Sequence, residues 1–315
     1  MQSHADIEPR DPITLPQLHL AAMRKHDRAA ALRLRDGAQW RDTPDWRFER
    51  QVIRIGLFLR ERGLSPGDRV AVVSPLRSEL VVTEQAALAL GAASVALDPG
   101  LTDAELAAAM AQIAPKAVFV EVAALLDRVG GQPRVVVCFD GPVAADRGSP
   151  WTEALDLGGT LDTPERAQSF RAQARDVRPE MPALGFFSHP GNGSAACEFL
   201  THSQAMALVR EARAGAQAAK GDAAYVAAGP ALIPTRIALY ALLGDGLTTV
   251  ALGSPGHELE EIAELRPKRI VAPQSVLEAA RRIAAPAAPR EPVRRGWIER
   301  ITRLLKRESG TIREA

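Results

Sequence analysis

The chain has 315 residues, of which 46% are hydrophobic and 24% charged, and its formal charge is +1. That length and balance exclude a disordered chain and allow a core of one large or two medium domains, and so small a net charge gives no global attraction to nucleic acid or to an anionic membrane. Residues 1–16 mix charges with prolines, and no run reaches the ~20 apolar residues of a membrane span, so a cytoplasmic protein without a transmembrane segment is expected. The two cysteines, Cys138 and Cys197, lack metal-ligand spacing and read as reduced structural thiols. Heavy use of Ala, Arg, Gly and Pro points to a GC-rich bacterial genome.

Taken in order, 15–35 reads as a helix running into a short strand, closed by the turn Asp36-Gly37. From Phe48 the apolar positions Val52, Ile53, Ile55, Leu57, Phe58 and Leu59 mark an amphipathic helix that stops at Gly63. Arg69 to Val73 is a strand, Glu79 to Leu90 a helix with Gly91 as its stop, and Ala93 to Leu97 a second strand closed by Asp98-Pro99-Gly100. Thr102 is placed to cap a third helix, and Ala117 to Val120 is a third strand. Helices alternating with short apolar strands predict an α/β fold of parallel sheets covered by helices on both faces. The stretch 140–178, rich in Gly, Pro, Asp and Arg, reads as an irregular surface connection. Beyond it, a strand around Ala183, a glycine-bearing loop and a helix over 203–213 follow. Then come a strand from Ala223, a helix at 237–243, a strand at 248–252, a helix at 258–265 and a strand at 269–271.

The loop carries the most chemical information. Ala183 to His202 reads Ala-Leu-Gly-Phe-Phe-Ser-His-Pro-Gly-Asn-Gly-Ser-Ala-Ala-Cys-Glu-Phe-Leu-Thr-His. Glycine-rich loops between a strand and a helix cradle phosphates with converging backbone N–H groups, and a lysine adds charge. This stretch resembles the phosphate-loop signature of the adenylate-forming superfamily, Tyr-Thr-Ser-Gly-Thr-Thr-Gly-x-Pro-Lys-Gly-Val-x-Leu-Thr-His. Anchored on Leu200-Thr201-His202, it aligns Phe187 with the Tyr, Ser188 with the Thr and Gly193 with the last loop Gly. His189 and Pro190 then stand at Ser-Gly, Gly191 and Asn192 at the two threonines, Ala195 at the proline and Ala196 at the lysine. Pro190 removes a backbone donor and fixes φ where the family uses Gly. Ser188, Gly191, Asn192, Gly193 and Ser194 are the candidate cofactor-binding residues of this degenerate loop.

Earlier stretches, Arg-Gly-Leu-Ser-Pro-Gly-Asp-Arg-Val-Ala-Val from Arg62 and Leu-Gly-Ala-Ala-Ser-Val-Ala-Leu-Asp-Pro-Gly-Leu-Thr from Leu90, are similar in order and spacing to the N-terminal subdomain of acyl-CoA synthetases. The resemblance implies two lobes, as in the large N-terminal domain of those enzymes. It divides the chain into a first α/β lobe at 1–140, the irregular connection at 141–180, a second α/β lobe at 181–285 and a C-terminal helix at 286–315. It also sets Ile233 where many members have a His lining the acyl site. His202 matches the family's Thr-His and reads as a packing residue. The six histidines show no metal spacing, and no catalytic residue is assigned.

Over 286–315, Trp297, Ile298, Ile301, Leu304 and Leu305 share one face below a rim of Arg and Lys. That pattern is a basic amphipathic helix, either docked on the body or offered to a protein partner or an acidic membrane surface. For the family, ATP and Mg²⁺ are the implied cofactors. On the resemblance, the chain ends before the adenine-binding turn, the Tyr-Gly-x-Thr-Glu segment, the ribose-binding Asp and the C-terminal lid with its Lys. The expectation is therefore a truncated acyl-CoA-synthetase-like domain that no longer adenylates and acts in binding. The competing expectation is an active or split acyl-CoA ligase completed by another chain.

Overall fold

The computed structural model describes residues 11–25, 27–130, 133–188, 195–214 and 218–284. From the N-terminus come α1 (Leu15–Lys25), the hairpin β1 (Leu32–Asp36) and β2 (Gln39–Thr43), α2 (Asp45–Glu61), β3 (Arg69–Val73), α3 (Ser78–Ala89), β4 (Ala93–Leu97), α4 (Asp103–Ile113) and β5 (Ala117–Val122). A short α5 (Leu126–Val129), β6 (Val135–Asp140), β7 (Ser149–Pro150), α6 (Trp151–Leu161), α7 (Pro164–Asp176), β8 (Pro182–Ser188), β9 (Ala196–Thr201) and α8 (His202–Arg213) follow. The last third holds β10 (Ala223–Val226), α9 (Ile233–Gly244), β11 (Thr249–Leu252), α10 (Glu258–Leu265), β12 (Arg269–Val271) and α11 (Gln274–Ala284).

The strands form two sheets. One has seven strands in the order β7-β6-β5-β3-β4-β8-β9, and the other five in the order β12-β10-β11-β1-β2. Every pairing is parallel except β8 with β9 and β1 with β2. The central strands β3 and β4 are buried along nearly their whole length, which is why they read in sequence as continuous apolar runs bounded by Gly and Pro. Local chemistry fixes the helix starts. Thr102 accepts the Glu105 amide while the Glu105 carboxylate takes the Thr102 amide at 2.8 Å, a reciprocal cap that begins α4 as anticipated.

Two expectations are corrected. The stretch 141–180 is not an irregular connection, since most of it forms α6 and α7. Thr163 caps α7, whose buried stripe is only Ala167, Phe170 and Ala174, and α6 buries Trp151, Ala154 and Gly158. With one large side chain in each stripe, Trp151 and Phe170, and small residues at the other buried positions, little hydrophobic periodicity is left to read. At Gly158 an added Cβ would lie 2.1 Å from the backbone oxygen of Arg54, so the glycine is what lets α6 touch α2. Nor do the sheets follow a division of the chain at 140 and 181. The hairpin β1–β2 joins the sheet built from residues 223–271, through β1 and β11, and β8–β9 complete the sheet begun at Arg69. Pairing between strands far apart in sequence leaves no local signal.

One apolar cluster fills the space between α2, α3, α6 and the sheets. A second, including Leu15, Leu184, Met206, Ile237 and Tyr240, joins α1, α8 and α9 to β8 and β9. A third lies under α4. No helix among the described residues is long and apolar enough to cross a membrane. The amphipathic helix expected at 286–315 lies outside the described residues.

Candidate functional site

Of the stretch that resembles the phosphate loop, the described residues up to Ser188 and from Ala196 to Thr201 lie on the paired strands β8 and β9, which form an antiparallel ribbon. Its register pairs Phe186 with Glu198, Phe187 with Cys197 and Ser188 with Ala196. Because side chains alternate, Phe186, Ser188, Ala196 and Glu198 share one face and Phe187, Cys197 and Phe199 the other. The first face meets α8 and α9 through Phe186, and the second packs on the cluster under α4. Of the five candidate cofactor-binding residues, the structure describes Ser188. Gly191, Asn192, Gly193 and Ser194 lie outside the described residues.

Ser188 stands directly across from Ala196, the position of the family lysine. Its hydroxyl donates to the carboxylate of Glu198 on the same face. The resemblance puts the Val of Lys-Gly-Val at Glu198, so a carboxylate replaces an apolar side chain beside the missing ammonium. Sequence reasoning passed over Glu198, although a lone acid inside a short strand was a visible signal. On this face the ribbon presents the Ala196 methyl group beside a Ser188 hydroxyl bonded to a carboxylate.

Where the ribbon ends, Thr201 caps α8 reciprocally with Gln204. The following His202 is fully buried. Its Nδ1 accepts the Leu15 amide at 3.4 Å, and burial lowers its pKa to about 4, so the ring is neutral and belongs to the packing between β9, α8 and α1. Ile233, at the position where the resemblance expects an acyl-site His, is buried at the start of α9 among Leu15, Leu184 and Met206. One turn further along α9 lies Arg236, 1% exposed. It ion-pairs with Glu84 of α3, and donates 2.9 Å bonds to the carbonyls of Gly185 in β8 and Ser94 in β4. Tyr240 and Ser94 also donate to Glu84, at 2.6 and 3.1 Å. This buried network between the two sheets carries no mark in the sequence, because its members lie as far apart as Glu84 and Arg236.

Cys138 and Cys197 are both free thiols. Burial pushes the Cys197 thiol up against the opposing pull of Arg69, whose guanidinium lies 5.1 Å from the Phe199 ring centroid. Among the described residues no group of three or more His, Cys, Asp or Glu side chains comes together that could hold a metal ion.

A parallel α/β sheet that ends in an antiparallel ribbon at the position of a phosphate loop, with a second mostly parallel sheet beyond it, defines the large-domain architecture of adenylate-forming enzymes. The chain belongs to the AMP-binding enzyme family, whose sequence model matches residues 21–298. No curated protein matches the sequence directly. Among solved structures it is similar to a luciferase-like enzyme from the nonluminescent mealworm Zophobas morio, at 18% identity and a TM-score of 0.72, over 89% of this chain and 63% of that one. It is similar also to a protein assigned as a long-chain-fatty-acid CoA ligase from Rhodopseudomonas palustris, at 15% identity and 0.70, over 86% of this chain and 65% of that one. A third is the nonribosomal peptide synthetase FmoA3, at 20% identity and 0.65, over 90% of this chain and 28% of that one. At these identities the likeness concerns the fold. The chain spans less than two thirds of the length of each of these structures.

Proposed function

We propose that this member of the AMP-binding family does not adenylate and serves as a binding or accessory domain. The observation that supports this reading is the ribbon face of Ser188, Ala196 and Glu198. Phosphoryl and adenylyl chemistry rests almost wholly on positioning and neutralising phosphate charge. With a methyl group at the lysine position and a carboxylate holding the neighbouring hydroxyl, the described residues do not fit ATP·Mg²⁺. No catalytic step is assigned to them.

The contact for a protein partner or an acidic membrane surface is placed on the basic amphipathic segment 286–315, supported by its pattern of Trp, Ile and Leu under Arg and Lys. The second reading is an ATP-dependent acyl-CoA ligase completed by another polypeptide. In its favour stands the alignment of this chain to 63% and 65% of the luciferase-like and ligase structures.

Calorimetric titration with Mg·ATP, together with pyrophosphate exchange over a panel of carboxylic acids, tests the proposal. No heat of binding and no exchange are expected. Micromolar ATP binding, or exchange with any acid, overturns it.

A further inference from the structure

Away from the ribbon, α1, α2, α3 and α7 converge without closing the space between them. They enclose a cavity of about 10 Å³, walled by apolar side chains that include Leu20, Ile53, Ala89 and Ala174. Close-packed interiors leave few gaps of even this size. Phe170 of α7 also borders it, with its ring lodged against α2, where a Cβ at Gly56 would lie 2.1 Å from Phe170 Cε2.

Two polar side chains line the same cavity, His19 of α1 and Gln85 of α3, at 7% and 3% exposure. Among the described residues neither His19 Nε2 nor Gln85 Oε1 has a hydrogen-bond partner, and both atoms are buried. The His19 ring stands edge-on to Phe48, at 5.3 Å between centroids. Desolvation, aided by Arg28 and opposed by Asp45, lowers its pKa to about 4, so the ring is neutral. Two buried polar atoms with no partner would each carry the desolvation penalty of an unmade hydrogen bond.

Size and chemistry together select the occupant. A buried water needs roughly 10–15 Å³ of such space and about two to four polar partners, whereas an organic molecule needs far more room. Gln85 Oε1 only accepts, so the occupant must donate to it. A neutral imidazole nitrogen accepts or donates according to tautomer, and water can answer either. A metal ion does not suit a site of one imidazole and one amide. The half-exposed ion pair of Glu49 and Arg171, 2.8 Å apart, also lines the cavity and marks its solvent side.

We infer that this cavity is a binding site for one water molecule, which ties α1 to α3 by donating to Gln85 Oε1 and hydrogen-bonding His19 Nε2. The water does for this helix junction what a direct side-chain contact does elsewhere, and its two bonds satisfy both buried atoms at once.

A crystal structure of the full-length chain, refined with no solvent placed at the site, tests the inference. Residual density for one water within hydrogen-bond distance of both His19 Nε2 and Gln85 Oε1 is expected. A dry cavity, or a water that reaches only one of the two atoms, overturns it. In solution, magnetic relaxation dispersion of the water oxygen nucleus counts long-lived internal waters. Gln85→Leu removes the acceptor and sets a methyl group in the space, so its count should be lower than wild type by one. Equal counts overturn the inference. If Gln85→Leu does not fold, His19→Phe, which keeps a ring against Phe48 and removes both nitrogens, supplies the comparison with the same expectation, and the wild-type density decides independently of either variant.

Discussion

Glu198 takes the hydroxyl hydrogen of Ser188 two residues beyond Ala196, on the same face of the same ribbon. An ammonium returned to position 196 would therefore meet a carboxylate before it met a phosphate. Ala196→Lys alone is expected to leave Mg·ATP binding undetectable by calorimetry. Ala196→Lys combined with Glu198→Val and Pro190→Gly should bring a measurable heat. If the single variant binds as well as the triple, the opposition assigned to Glu198 is wrong.

The Arg236–Glu84 pair is almost fully desolvated, at 1% and 3% side-chain exposure. Removing one partner strands the other charge, and such losses cost about 3–5 kcal/mol. Arg236→Met should lower stability by about that amount in urea unfolding. The double variant Glu84→Gln/Arg236→Met leaves no orphaned charge, and its amide can accept from Tyr240 with the oxygen and donate to Ser94 Oγ with the NH2, so it should be more stable than the single variant. Equal losses in both would show that packing, and not the uncompensated carboxylate, sets the cost.

Neighbouring glycines in α6 should respond in opposite directions. A Cβ at Gly158 would lie 2.1 Å from the Arg54 carbonyl oxygen, whereas at Gly159 the nearest atom, Arg54 Cζ, is 3.5 Å away. Gly158→Ala forces α6 off α2 and should cost about 1–3 kcal/mol. Gly159→Ala adds a helix-favouring residue in ordinary contact and should be neutral or stabilising by up to about 1 kcal/mol. Thermal or urea unfolding of the two variants side by side decides the matter.

Burial holds two imidazoles neutral. The pKa of His202 is lowered to about 4 by desolvation, and that of His19 to about 4 by desolvation aided by Arg28 and opposed by Asp45. In the unfolded chain both return to about 6.5 and take up protons that the native state excludes. Stability is then fully present above about pH 6.5 and declines as pH falls toward 4, by about 3 kcal/mol per histidine at the end of that window. His202→Asn, whose Oδ1 can still accept the Leu15 amide, should show a shallower loss of urea midpoint between pH 7 and pH 5 than wild type. An unchanged slope would mean that His202 does not contribute to the decline.

Much of the fold was legible where burial is two-sided. β3, β4 and β5 are apolar runs between Gly and Pro signals, and Thr102 announces its helix through Glu105 three residues on. The polar edge strand β2, Gln-Trp-Arg-Asp-Thr, has no period to betray it. α6 and α7 were hidden because, Trp151 and Phe170 apart, their buried positions are the small residues Ala154, Gly158, Ala167 and Ala174. At the site, the antiparallel pairing that sets Ser188 across from Ala196 had no signal in the sequence, which read as strand, loop and helix entry. Glu84 and Arg236 were out of reach, since each acts only through residues brought close by tertiary folding.

The pairing of Leu32 with Val250 makes the order of synthesis matter. Hairpin β1–β2 leaves the ribosome early, yet the strand that covers the other edge of β1 lies on the order of 200 residues later, some 10–40 s away at typical elongation rates. Through that interval one side of β1 is an open row of backbone donors and acceptors, exposed to any nascent neighbour on the same polysome. The charges of Arg33, Arg35 and Asp36 along that short strand are then what keep two unfinished copies from zipping together. Replacing them with apolar residues would harm the yield of folded protein well before it touched the stability of the finished one.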